Sequence, residues 1–138
     1  MTSSAIDVVR AFIAAINRRD PTDISGLMAE DHTFVDSAGT AVSGRQTMTA
    51  GWTGYFGMFP DYEIRVDCIL ADETRVAVFG SAAGTYNGKR GLVPENRIEM
   101  PAAWQAIVAD GKIQRWQVYA DWTEGSRIID EDQRTGRT

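Results

Sequence analysis

The apolar positions Val8, Val9, Phe12, Ile13 and Ile16 recur at helical spacing near the start of the chain, and Ser4 stands where an N-cap belongs. Together they predict a helix over 5–19. Asp20-Pro21 breaks it, and Pro21 suits the first turn of a second helix over 22–29. The period then drops to two. Asp31-His32-Thr33-Phe34-Val35-Asp36 reads as a strand, and Ser37-Ala38-Gly39 turns the chain. Gly44 opens a third helix, 44–59, with Met48, Trp52, Tyr55, Phe56 and Phe59 on one face and Pro60-Asp61 at its end.

The remainder alternates as a sheet does. Over 62–70, Tyr62, Ile64, Val66, Cys68 and Leu70 share one face, while Glu63, Arg65 and Asp67 share a wetter one. A strand over 74–86 follows, then a loop over 89–96 that holds Gly91 and Pro94. Strands over 97–109 and 112–122 are joined by Asp110-Gly111, a tight-hairpin signal. The segment 124–138 is polar and is expected to fray as a tail, leaving 1–123 as the single folded domain. Helices first and a meander of strands afterwards make the class α+β. One stripe stands out: Gly80, Ala82 and Gly84 fall on one face of 74–86. Small residues weaken a strand interior, so they either mark bulges that bend the sheet or leave room for a pocket.

Composition narrows the function classes. With 138 residues the chain builds one domain with a real core, and 43% hydrophobic and 24% charged residues are those of an ordinary globule. A net charge of −5, with no Lys/Arg cluster, argues against a nucleic-acid partner. The lone Cys68 cannot form an internal disulfide, and neither a membrane-length apolar run nor a signal-peptide pattern is present. The expectation is a cytoplasmic protein. One histidine and one cysteine are too few for a zinc site, and no acidic loop suggests magnesium or calcium, so neither metal nor cofactor is expected.

Asp36 carries the sharpest chemical possibility. Alternation puts it with His32 and Phe34 on one strand face. If that face lines an apolar cavity, desolvation favours the neutral carboxyl and raises its pKa, as a general acid/base working near neutrality requires. The competing reading is a turn cap, since aspartate bonds its own backbone readily in turns. His32 lies about 13 Å along the strand from Asp36, too far for a direct hydrogen bond, and would meet the other end of a substrate. Trp52, Tyr55, Tyr86 and Trp116 either pack the core or line the cavity. A buried tyrosine hydroxyl or tryptophan N–H needs a partner, and a ligand oxygen would supply one.

Five stretches, taken in order, resemble one superfamily. They are Val8-Val9-x-x-Phe12-x-x-Ala15-x-Asn17-x-x-Asp20, Glu30-Asp31-His32, Gly44-Arg45, the loop Gly91-Leu92-Val93-Pro94-Glu95-Asn96-Arg97, and Asp110-Gly111-Lys112-Ile113-x-x-Trp116-x-x-Tyr119-x-Asp121. The chain looks nuclear-transport-factor-2-like, similar to its SnoaL-like and ketosteroid isomerase-like group, which includes polyketide cyclases. The resemblance implies a cone: a curved antiparallel sheet wrapped around N-terminal helices, cystatin-like in architecture. Asp36 then matches the catalytic base of ketosteroid isomerase, and Phe34 and Asp36 match the water-positioning pair of limonene epoxide hydrolase. The departures matter as much. Phe12 stands where the isomerase has its oxyanion tyrosine, about Ala103 where it has a protonated aspartate, and Val118 where SnoaL-type cyclases have a catalytic aspartate.

The residues and the resemblance together imply an enzyme of isomerase, cyclase or lyase type, without cofactor, acting on a hydrophobic polycyclic or terpenoid-like substrate by proton transfer at Asp36. His32 and Asp121 are secondary catalytic candidates. Phe12, Phe34, Trp52, Tyr55 and Phe56 would surround the substrate, together with Phe59, Tyr86, Trp116 and Val118. The alternatives are a non-catalytic domain that binds a hydrophobic ligand, or an epoxide-hydrolase-like activity. Related cones pair through the convex sheet face, so a homodimer is expected.

Overall fold

The computed structural model describes residues 4–135. Helix α1 (Ala5–Asn17) starts where the Ser4 hydroxyl accepts the Asp7 N–H at 3.1 Å, and it buries Val8, Val9, Phe12, Ile13, Ala15 and Ile16. Helix α2 (Pro21–Leu27) starts on Asp20, whose Oδ1 accepts the N–H groups of Thr22 and Asp23. Strand β1 (Met28–Val35), strand β2 (Ala41–Ser43) and helix α3 (Arg45–Met58) come next. Then follow β3 (Glu63–Ala71), β4 (Arg75–Thr85), β5 (Arg97–Ala109), β6 (Lys112–Ala120) and helix α4 (Thr123–Arg134). None of these helices is long and apolar enough to cross a membrane.

The six strands form one open, curved sheet in the order β2-β1-β6-β5-β4-β3. Its pairs are antiparallel except β1 with β6, which run parallel. Helix α1 lies against β3 to β6, and α3 packs on α2, β1 and β2, so the sheet bends around helices as an α+β cone. Phe12 is fully buried and meets Trp116 edge-on at 5.1 Å. Cutting such an aromatic back to alanine costs about 3–5 kcal/mol. The end of α1 also fixes the chain beyond α3. Asn17 holds Ile64 by both backbone atoms, at 2.8 and 2.9 Å, and Arg19 donates to the Tyr62 carbonyl at 3.0 Å.

Three elements depart from the pattern read in the sequence. The segment after Asp36 returns as β2, whose three residues are all exposed and too few to show a period. In β3 the pairing with β4 slips between Val66 and Cys68, which reverses the alternation. Ile64 is buried as expected, but beyond the slip Ile69 turns inward while Cys68 and Leu70 face solvent. Gly80 belongs to this same irregularity. A Cβ there would run into the Arg65 carbonyl, so close backbone approach demands glycine.

The third departure is the expected tail, which over Thr123–Arg134 is a docked amphipathic helix. Ile128 is buried, and the fully buried Asp132 carboxylate accepts from Lys89 N (2.7 Å), Arg90 N (2.8 Å) and Asn96 Nδ2 (3.0 Å). Burial alone would favour the neutral acid, but the bonds from Asn96, Arg90 and Lys89 hold its pKa below the ordinary value. Helix α4 thereby ties the 88–96 loop to the cone.

The two faces of β5 settle which side chains point inward. Ile98, Ala102, Trp104, Ala106 and Val108 are buried, so Glu99, Ala103 and Gln105 lie on the outer face. Gln105 donates to the Tyr119 hydroxyl there at 3.1 Å.

Candidate functional site

Between α3, α4 and the inner sheet face lies a cavity of about 620 Å³. Helix α3 contributes Met48, Trp52, Tyr55 and Met58, each a turn or nearly a turn from the next. Ala82 and Gly84 of β4 and Ala102 of β5 are small, and the space their absent side chains leave is part of the volume. Trp104 and Trp116 close the inner end, and Trp122 and Ile129 close the side covered by α4. Among the described residues Asp36 is the one carboxylate on this wall, and no lysine, arginine or histidine joins it.

One oxygen of Asp36 follows the turn-cap reading, and the residue also lies on the cavity wall. Oδ1 accepts the N–H groups of Ala38 and Thr40, each at 2.9 Å, as a turn cap does. Oδ2 has no hydrogen-bond partner among the described residues, and the residue lines the cavity. The side chain is half-buried at the rim and is not enclosed among aromatics as the sequence suggested. The reason is the turn: its backbone N–H groups draw the carboxylate toward the cavity's edge.

Of the residues expected around a substrate, Phe34, Trp52, Tyr55 and Phe59 line the cavity, as do Trp116 and Val118. Phe12 lies behind that wall, under Trp116. Phe56 stacks on Trp52 at 5.5 Å, and Tyr86 packs on Phe59 at 5.8 Å, both outside the lining. His32 is sealed in the core, its ring 6.2 Å from Phe12, and does not reach the cavity. Asp121 is exposed, and its Oδ1 accepts the Thr123 N–H at 2.9 Å where α4 begins. Hydrogen bonds from Thr123 hold its pKa below the ordinary value. Neither of these two is placed to meet a ligand in the cavity.

Tyr62, Trp104, Trp122 and Ile129 are lining residues that sequence reasoning does not single out. Alternation puts Tyr62 on the face of Ile64, which is a usable signal. Ile129 is hidden because its helix reads as a tail. Tyr62 meets Tyr55 edge-on at 5.0 Å. Burial raises the pKa of both hydroxyls, and the neighbouring Tyr55 raises that of Tyr62 further. Both remain protonated donors across the physiological range.

This arrangement of helices and bent sheet recurs among solved structures. A protein of ketosteroid isomerase-like fold from Catenulispora acidiphila, in complex with trimethylamine, superposes with a TM-score of 0.76 at 19% identity, covering 96% of this chain and 95% of that one. A candidate polyketide cyclase from Xanthomonas campestris gives 0.79 at 22% identity, covering 90% and 96%. An LEH-like epoxide hydrolase from M. tuberculosis gives 0.77 at 19% identity, covering 96% and 93%. At these identities the likeness is one of fold. No curated protein matches the sequence. The sequence profile of the SnoaL-like domain matches residues 9–116, most of the chain, and the protein therefore belongs to the SnoaL-like domain family.

Proposed function

We propose that the protein is a cofactor-independent enzyme of isomerase, cyclase or lyase type, moving a proton on a hydrophobic polycyclic or terpenoid-like substrate through Asp36. The observation that carries this reading is the unpaired Oδ2 of a cavity-wall carboxylate whose other oxygen is already fixed by two backbone N–H groups. Such a group is oriented before substrate arrives, which is what proton transfer from a defined position needs. The volume falls within the 300–1,000 Å³ typical of sites for molecules of this size. Asp36→Asn keeps the turn's acceptor oxygen and removes the proton-transfer group. It should leave fold and ligand binding intact and reduce turnover by about 10²–10⁴-fold.

A second reading is a binding domain without catalysis. It is favoured by Phe12 and Ala103, which carry no donor, the former lying behind the wall and the latter facing outward. An Asp36→Asn protein that keeps full turnover would favour neither Asp36 nor this chemistry.

The enzyme is also proposed to be a homodimer formed through the outer sheet face. Phe79, Ala103 and Tyr119 pair across β4, β5 and β6 in one row, and both aromatics are nearly half exposed, at 46% and 48%. A row of exposed apolar side chains on the outer sheet face is the usual ground for a two-fold contact.

A further inference from the structure

The charge on the cavity wall is one-sided. Asp36 is the single carboxylate among the described lining residues, and none of them is a lysine, arginine or histidine. Its Oδ1 is held by the Ala38 and Thr40 N–H groups at 2.9 Å each, which fixes the carboxylate at the rim. Oδ2 has no hydrogen-bond partner among the described residues. Ser37 and Ala38 of the same turn also line the cavity, so this turn is part of its mouth. Behind it the wall is apolar or aromatic. Phe34 stands two residues before Asp36, and the Trp52 ring lies 6.5 Å from that of Phe34. Aromatic rings attract cations as well as apolar surface.

We infer that the cavity selects apolar ring compounds that carry a positively charged nitrogen, held toward Asp36 Oδ2, over neutral compounds of the same shape. This rests on the reading of the cavity as a substrate site with Asp36 as its proton-transfer group. Proton removal from a neutral ketone moves the negative charge from the rim into the apolar interior, where no cation meets it. An iminium reverses that balance. Oδ2 takes a proton from the carbon next to C=N⁺, the C–H electron pair becomes a C=C bond, and the C=N π pair moves onto nitrogen. The products are a neutral enamine and a neutral carboxyl group, and an apolar surrounding favours a step that removes charge. Return of the proton regenerates iminium and carboxylate, so the step balances without a further reactant.

The ion 1,2-dimethyl-3,4-dihydroisoquinolinium and the hydrocarbon 1,2-dimethyl-3,4-dihydronaphthalene share one skeleton and differ in C=N⁺ against C=C. Quenching of Trp52, Trp104, Trp116 and Trp122, which line the cavity, reports the binding of both. At low salt the wild-type protein should bind the cation roughly tenfold more tightly than the hydrocarbon, and added salt should narrow the gap. Asp36→Asn should weaken the cation by about the same factor and leave the hydrocarbon unchanged. In D₂O the wild type should accelerate deuterium uptake at the C1 methyl group of the cation, and Asp36→Asn should not. Equal wild-type affinities for the two probes would overturn the charge preference and leave the substrate cavity standing. A preference that survives in Asp36→Asn would also overturn it, tracing the attraction to the net charge of −5 and not to the cavity. Tight cation binding without faster exchange would overturn the iminium step. Failure of both probes to bind would overturn the cavity reading and the charge preference with it. The affinity ratio and its salt dependence are read on wild-type protein, so the test survives a variant that does not fold.

Discussion

His32 donates through Nδ1 to the Ile113 carbonyl at 2.8 Å, tying β1 to β6 where their parallel pairing slips between Met28 and Thr33. A carbonyl only accepts, so Nδ1 carries the hydrogen, and the sealed Nε2 is a bare lone pair without a partner. Protonation would place a charge and an unpaired N–H in the core. Desolvation accordingly lowers the His32 pKa below 6.5, offset in part by the Ile113 bond and by Asp31. The neutral ring is the folded form, so the unfolded chain binds the extra proton first. Stability is therefore complete above pH 6.5 and declines as pH falls below it, by at most about 1.4 kcal/mol per pH unit. Thermal unfolding between pH 7.5 and 5.5 should show this slope, and His32→Gln should flatten it. Parallel pH profiles for the two proteins would remove His32 as the cause.

Asp132 acts in a separate window. Its folded pKa is depressed, so its contribution is present above the ordinary carboxylate value of 3.8 and is lost as pH falls through the lower folded value. Asp132→Ala leaves Lys89 N, Arg90 N and Asn96 Nδ2 without their acceptor. It should lower Tm by about 5 °C or more and expose the amides of α4 to hydrogen exchange. An unprotected α4 in the wild-type protein would show that this helix does not dock as described.

The small residues of β4 divide into two roles, and substitutions separate them. Gly80→Ala forces a Cβ into the Arg65 carbonyl and should cost stability heavily, beyond the roughly 1–3 kcal/mol of ordinary overpacking. Ala82→Leu projects into the cavity and should weaken binding of the dihydronaphthalene probe while moving Tm little. A large Tm loss for Ala82→Leu would mean that this position faces packed core.

The fate of β3 shows how far the sequence could be read. Tyr62 and Ile64 obey the alternation, but nothing in Val66-Asp67-Cys68 announces the slip that turns Leu70 outward, because a bulge is set by the facing strand. The bulge's partner, Gly80, is visible as a small residue that needs a reason. Helix α4 escapes notice because its apolar side amounts to Ile128 and Ile129 among charges, and its anchor is a buried carboxylate that looks like a surface one until Asn96 and Arg90 surround it. The α+β order, α1, α3, the 110–111 hairpin and the aromatic face of α3 all follow from period and turn chemistry. Which oxygen of Asp36 stays unpaired depends on the 37–40 turn, a geometry that no spacing rule encodes.

Assembly gives a prediction of its own. Sedimentation at micromolar concentration should report twice the chain mass of 15.2 kDa. Phe79→Asp, on the outer face, should restore a folded monomer. A wild-type particle of one chain mass would refute the proposed interface.

The most direct measurement of the central claim is proton exchange on a simple ketone. 2-Tetralone in D₂O takes up deuterium next to its carbonyl when a base removes that proton, and nuclear magnetic resonance follows the loss of the proton signal. The wild-type protein should accelerate this exchange in proportion to enzyme concentration. Asp36→Asn, folded and still binding 2-tetralone by tryptophan quenching, should reduce the acceleration by about 10²–10⁴-fold. Equal exchange rates for wild type and Asp36→Asn would contradict the assignment of Asp36 as the proton-transfer group.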